Sequence, residues 1–160
     1  MEGAAMRAIP SRGFFGIGIE NHKTPMNLGT LWRSAYIFDA AFIFTVHRRY
    51  PKQASDTVKA WRHVPLLNFD DFDAFWAGLP FDCPVVGLEQ DARARDLEQF
   101  THPERAVYLL GAEDHGLSKE ARQRCHQLVQ VPSRLCLNVA VAGSIVMWHR
   151  QQQRAVGMAA

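Results

Sequence analysis

Three short stretches of this 160-residue chain set polar side chains among apolar ones in a way suited to chemistry. The first is Asn27-Leu28-Gly29-Thr30-Leu31-Trp32-Arg33. Leu28, Leu31, Ala35 and Phe38 recur at helical spacing, which puts Asn27 at an N-cap and Arg33 one to two turns inside the helix. Two roles fit Arg33: a salt-bridged or solvent-facing residue, or an anion clamp, since guanidinium meets phosphate with two parallel donors. The second stretch is Leu110-Gly111-Ala112-Glu113-Asp114-His115-Gly116-Leu117-Ser118. Its two glycines permit tight turning and close backbone approach to a ligand, and amides at the next helix start favour anionic or polar groups. The third is Val131-Pro132-Ser133-Arg134-Leu135-Cys136-Leu137-Asn138-Val139-Ala140. There Asn138 is a natural N-cap. Cys136 has no histidine near it in sequence and reads as a buried, inert thiol.

Several other chemistries lack their residues. No Gly-Lys-Ser/Thr follows the glycines of the second stretch, so it is not a P-loop. The third glycine of G-x-G-x-x-G is missing there and also after Gly16-Ile17-Gly18, which disfavours a nicotinamide enzyme. Cys83, Cys125 and Cys136 form no C-x-x-C pair, and Cys125-His126 has no second ligand pair, so neither a disulfide framework nor a metal site is expected. The N-terminal MEGAAMRAIPSRGFF lacks an apolar core of signal-peptide length. The longest apolar run, Leu137 to Trp148, is broken by Asn138 and Ser144 and falls short of the ~20 residues that span a bilayer. With 48% hydrophobic and 21% charged residues, the expectation is one cytoplasmic, reduced, globular domain over 1–160, its first 13 residues a flexible lead.

The elements that must position these stretches alternate along the chain. Strands are expected at Phe14–Glu20, Ala41–Val46, Val64–Asn68, Pro84–Leu88, Ala106–Leu110 and Leu128–Val131. Helices are expected from Asn27, from Asp70, over Ser118–Arg124 and from Asn138 to about Gln153. That rhythm specifies an α/β domain with a mostly parallel sheet flanked by helices. The terminal helix carries apolar residues on nearly every face, which suits a helix buried on one side by the core and on another by a second subunit.

In order and spacing, the three stretches resemble the three motifs of the SPOUT methyltransferases, in the SpoU (TrmH-like) branch that methylates RNA ribose 2′-hydroxyls. The resemblance covers roughly residues 14 to 152. It implies a fold whose C-terminal stretch forms a deep trefoil knot, an exception to the unknotted rule. It implies S-adenosylmethionine bound by Leu88, Glu89, Leu110, Gly111, Val131, Leu137 and Ala140. Asn27, Arg33, Glu113 and Asn138 become the implied catalytic residues. The implied assembly is a homodimer built on the terminal helix, and the implied substrate is RNA, with transfer RNA favoured over ribosomal RNA by analogy. Within this resemblance Arg33 serves either as general base, against a guanidinium pKa above ~12, or as an electrostatic anchor. Cys136 departs from the family's usual serine before Leu-Asn.

The formal charge of only +2 hides a distribution. Residues 1–63 carry net +5, residues 64–119 net −7 and residues 120–160 net +4. Arg48, Arg49, Lys52, Lys59, Arg62 and Arg134 lie in the two basic segments, and are the residues expected to meet an RNA backbone.

Overall fold

The strands read as continuous apolar runs because both faces of the sheet are covered, as a buried parallel sheet requires. The computed structural model describes residues 13–49 and 59–157. Its central strand is β1 (Phe14–Glu20), with β2 (Phe42–Val46) and then β3 (Leu66–Phe69) on one side. On the other side β4 (Val85–Leu88), a two-residue β5 (Arg95–Asp96), β6 (Arg105–Leu110) and β7 (Gln127–Gln130) complete the order β3-β2-β1-β6-β4-β7-β5. Every pairing is parallel, with Ile17 opposite Ile43 in β2 and Tyr108 in β6.

Side chains sort to the two faces with period two. Phe15, Ile17 and Ile19 of β1 face helices α1 (Pro25–Ile37) and α4 (Val139–Gly157) in one core. Phe42, Phe44 and Val46 of β2 join Phe72 and Phe75 of α2 (Phe72–Ala77) and Ala121 of α3 (Lys119–Arg124) in the other. Gly16 and Gly18 make that second core possible, because a Cβ on either would collide with the Phe42 ring or with Phe44. The Phe44 and Phe75 rings stack with centroids 4.9 Å apart. Helices α1 and α4 pack side by side: Leu31 fills the space left by Gly143, and the Ser34 and Ser144 hydroxyls meet at 2.8 Å.

The adjacent strands β1 and β6 lead to opposite faces, β1 into α1 and β6 into α3. This topological switch opens a crevice beyond their carboxyl ends, where open α/β sheets bind ligands.

Three expectations need correction. The first helix starts at Pro25 with Thr24 at the N-cap, so Asn27 lies in the first turn and does not cap it. Proline's fixed φ suits that opening position, and it outcompetes the later asparagine as the start signal. The third strand begins at Leu66, because Val64 is a buried turn residue whose carbonyl accepts the Trp32 indole N–H at 2.8 Å. A seventh strand, β5, was not expected, since Arg95-Asp96 has no apolar run to announce it. Helix α4 buries Val139, Ala140, Val146 and Met147 against the core, and leaves apolar Val141 and Trp148 about half exposed on its other side. Among the described residues no helix is long and apolar enough to cross a membrane. Of the expected flexible lead, residues 1–12 lie outside the described residues.

Candidate active site

The crevice is built where three loops leave the carboxyl edge of the sheet. Residues 111–118, after β6, fold back on themselves through paired backbone bonds between Ala112 and Gly116. Gly116 takes φ +65°, and a Cβ there would run into the Glu89 carboxylate, so glycine is required on both counts. Two carboxylates then fix the base of the turn. Glu89 Oε2, at the end of β4, accepts the Leu117 N–H at 2.6 Å, and buried Glu20 Oε2, at the end of β1, accepts the Ser118 N–H at 3.0 Å.

The arm of this loop carries Glu113 to the start of α1. Its carboxylate accepts the backbone N–H of Lys23 at 2.9 Å and of Thr24 at 3.1 Å, and the Asn27 Nδ2–H at 2.8 Å. Asn27 Oδ1 in turn accepts from Asn138 Nδ2 at 2.9 Å. Asn138 Oδ1 caps α4 through the N–H groups of Ala140 and Val141. Three chain-distant motifs are thus joined in one relay, Glu113–Asn27–Asn138, across the N-termini of two parallel helices. Burial alone would raise the Glu113 carboxyl, but the bonds from Asn27, Lys23 and Thr24 outweigh it and hold the group below the ordinary carboxylate range.

Beside the relay lies a cavity of about 280 Å³. Leu88, Leu110, Val129, Val131, Leu137 and Val139 supply apolar wall. Glu89, Gln90, Glu113, Asp114, His115, Gln130 and Ser133 supply polar groups. A mostly apolar cleft with a few convergent polar groups is the form of a small-molecule site.

The chain was compared with known proteins. Residues 15–148 match the model of the SpoU rRNA methylase family. The chain belongs to that family. A mouse protein named tRNA (guanosine(18)-2′-O)-methyltransferase TARBP1 is 29% identical over 149 residues, covering 84% of this chain and 9% of that protein. A Mycobacterium avium protein described as an uncharacterized tRNA/rRNA methyltransferase is 28% identical over 151 residues, covering 86% of this chain and 47% of its own length. The chain therefore spans less than half of each of these relatives. Among solved structures, the SpoU methyltransferase AviRb of Streptomyces viridochromogenes superposes with a TM-score of 0.77 at 25% identity, covering 93% of this chain and 63% of that one.

Within this SpoU-family domain most of the expected site residues converge. Leu88, Glu89, Leu110, Gly111, Val131 and Leu137 line the cavity, as does Glu113. Ala140 is buried in the first turn of α4, beside Val139 and Ala142 of the cavity wall. Arg33 does not join Asn27, Glu113 and Asn138. It is exposed, and the helical spacing places it on the side of α1 away from buried Leu28, Leu31 and Ala35. Cys136 is a correction: it is exposed on the cavity wall, with Sγ 3.6 Å from Gln90 Oε1. Cys83 is buried and Cys125 partly buried, the Cys125 thiol pushed up to about 12 by burial and then by Glu20.

The basic residues divide. Arg48, Arg49 and Arg134 follow β2 and β7 at the carboxyl edge, with Arg49 3.2 Å from Asp70. Those strands are four apart in the sheet, or about 19 Å. Lys59 and Arg62 precede β3 and so lie toward the opposite edge, with the Arg62 guanidinium over the Trp61 ring. Lys52 lies outside the described residues. Sequence reasoning missed Glu20 and did not foresee that Glu89 fixes a loop. The available signal was a carboxylate ending each of two apolar strands.

Proposed function

We propose that this domain is an S-adenosylmethionine-dependent RNA ribose 2′-O-methyltransferase, acting in the cytoplasm on transfer RNA. The Glu113–Asn27–Asn138 relay at the cavity carries this reading, because it ties the three family motifs to one small-molecule cleft. The cleft suits the cofactor. Its aliphatic wall fits the faces of an adenine. Gly111 lies so close to the Gly116–Leu117 backbone that no side chain intrudes, leaving main-chain groups to read polar edges. Leu88, Leu110, Val131 and Leu137 would hold that ligand, with Glu89 fixing the wall at Leu117. When bound, S-adenosylmethionine supplies an electrophilic methyl group on a sulfonium sulfur. The transfer RNA preference takes support from the name of the mouse relative.

The unit of activity in this reading is a homodimer. Val141 and Trp148 of α4 and Met26 and Ile37 of α1 leave an apolar surface outside the domain. Arg33 belongs to the same outward side of α1. Association across this surface would bring the Arg33 of one subunit toward the relay of the other, where it meets the RNA phosphate or the reacting oxygen. It would also cover the exposed face of α4, whose passage beside α1 is in keeping with the family's knotted C-terminus.

Mapping 2′-O-methyl sites in total RNA from cells with and without the gene tests the activity. Loss of a single site in transfer RNA is the expected result. An unchanged map, with tight S-adenosylmethionine binding, would make the chain a binding protein without catalysis.

A further inference from the structure

The cavity has one wall that is held differently from the rest. Leu88 and Leu110 end strands of the sheet, and Glu89 fixes the 111–118 loop through Leu117. Opposite them runs the segment 131–138, from β7 to α4, which carries Val131 and Leu137. Among the described residues, no backbone hydrogen bond ties positions 132–137 to any other segment. A segment so poorly bonded through its main chain opens easily unless side chains hold it. Gln90 reaches across to it. Its Nε2–H donates to the Ser133 hydroxyl at 2.9 Å. That hydroxyl donates onward to the Leu135 carbonyl at 2.8 Å, so its oxygen is left to accept. The Cys136 thiol donates to Gln90 Oε1, with sulfur and oxygen 3.6 Å apart. Both ends of one amide therefore grip the loop, on either side of exposed Leu135. The shelf that carries Gln90 is itself well fixed. The Gln90 N–H donates to Glu89 Oε1 at 3.1 Å. The next residue, Asp91, accepts the Arg93 N–H at 2.9 Å and two guanidinium N–H groups at 3.0 Å.

We propose that Gln90 is a positioning residue for the cofactor, a clasp that sets the Val131–Leu137 wall against Leu88 and Leu110. This rests on the S-adenosylmethionine reading above. The clasp orders the loop before the ligand arrives, so binding does not have to supply that conformational entropy. One of its two contacts is weak, because a thiol donates poorly where a serine would offer a strong hydroxyl donor. Cys136 therefore sets the grip, and this chain has a looser clasp than a serine would give it. The clasp acts before the methyl group moves and takes no part in proton transfer. Its loss raises KM for S-adenosylmethionine and leaves kcat at saturating cofactor near wild type.

The test uses the full chain with S-adenosylmethionine. Calorimetry should give a Kd about 10-fold higher in Gln90→Ala, the size of one to two hydrogen bonds, and about 3-fold lower in Cys136→Ser. The double variant separates a clasp from a general effect on the fold: Cys136→Ser gains nothing once Gln90 is replaced by alanine. A readout without cofactor is tryptic cleavage after Arg134, in the middle of the loop. Gln90→Ala should speed it about 10-fold, and Cys136→Ser should slow it, since cleavage follows the open population. An unchanged Kd and cleavage rate in Gln90→Ala overturn the proposal and leave the cofactor reading standing. So does a Cys136→Ser gain that survives in the double variant, since the side chain at 136 then acts without Gln90. A wild type that does not bind S-adenosylmethionine overturns the cofactor reading itself, and the proposal with it.

Discussion

The core beneath α4 holds a chain of polar groups whose proton positions follow from one fixed donor. Arg150 is buried, and its guanidinium donates to the Pro103 and Glu104 carbonyls at 2.6 Å and to Tyr108 Oη at 3.1 Å. Since guanidinium can only donate, the Tyr108 hydroxyl accepts from Arg150 and gives its own proton to His102 Nδ1, 2.6 Å away. His102 then carries its proton on Nε2 and donates to His149 Nδ1 at 2.9 Å. A second proton on His102 would break this order and sit beside Arg150. Burial first, then the Arg150 charge and then His149 lower the His102 pKa from 6.5 to about 3. As pH falls below 6.5 the unfolded imidazole binds a proton before the folded one does, so stability is whole above 6.5 and lost progressively toward 3. The loss attributable to His102 is about 2 kcal/mol at pH 5 and about 5 kcal/mol once both states are protonated. Urea unfolding at pH 7.5 and pH 5, in wild type and in His102→Asn, isolates this share from His22 and His149, whose values burial also lowers. Asparagine keeps an acceptor for Tyr108 but does not titrate. Wild type should lose about 2 kcal/mol more than the variant, or about 4–8 °C in Tm. Parallel pH dependences would refute the reasoning.

Other expected outcomes follow from single contacts. Asn27→Ala cuts the relay at both ends, and is expected to lower methyl transfer about 100-fold while costing only about 1–2 kcal/mol of stability, measured by turnover and urea unfolding together. Arg33→Ala and Glu113→Ala, each inactive alone, should recover up to about a quarter of wild-type rate when co-refolded, because half the dimers are mixed and one site in each is intact. Trp148→Asp places a charge on the outward face of α4 and should give a monomer in sedimentation experiments. Gly18→Val drives a side chain into Phe44 and should cost about 3 kcal/mol, read from the urea midpoint.

Much of the fold was legible because its signals are local. The apolar runs of β1, β2, β4 and β6 stand out, since a doubly covered parallel sheet leaves no face for polar residues. Where two local signals competed, the reading failed. Pro25 and Asn27 both mark a helix start, and only the structure shows that the asparagine amide is spent on Glu113 and Asn138 instead. The Arg95-Asp96 strand has no apolar pattern, because it pairs at the sheet edge through its backbone. Leu88, Glu89, Leu110, Gly111, Val131 and Leu137, named through motif resemblance, meet at one cavity because their loops all leave the same edge of the sheet. Cys136 read as a buried thiol because no histidine lies near it in sequence, which says nothing of exposure: it stands exposed on its loop with Leu135 and Leu137.

Arg33 and Glu113 show why a motif does not yield its chemistry by composition alone. Both are charged residues in the motifs, and either can be imagined exchanging a proton. Glu113 is saturated with donors, and so its work is to hold the start of α1 against the Gly111–Ser118 loop. Arg33 is about 9 Å further along the same helix than Asn27, on its outward side. An anchor can work from there if a second subunit brings the RNA phosphate to it. A base must touch the hydroxyl that sits at the cavity. Separating the two tasks gives each a different dependence: the anchor governs salt sensitivity of RNA binding, and the base governs the pH dependence of turnover. Arg33→Lys should therefore weaken RNA binding and change its salt slope while leaving the acid limb of the rate profile in place; an acid limb that vanished with Arg33 would return the proton to the guanidinium.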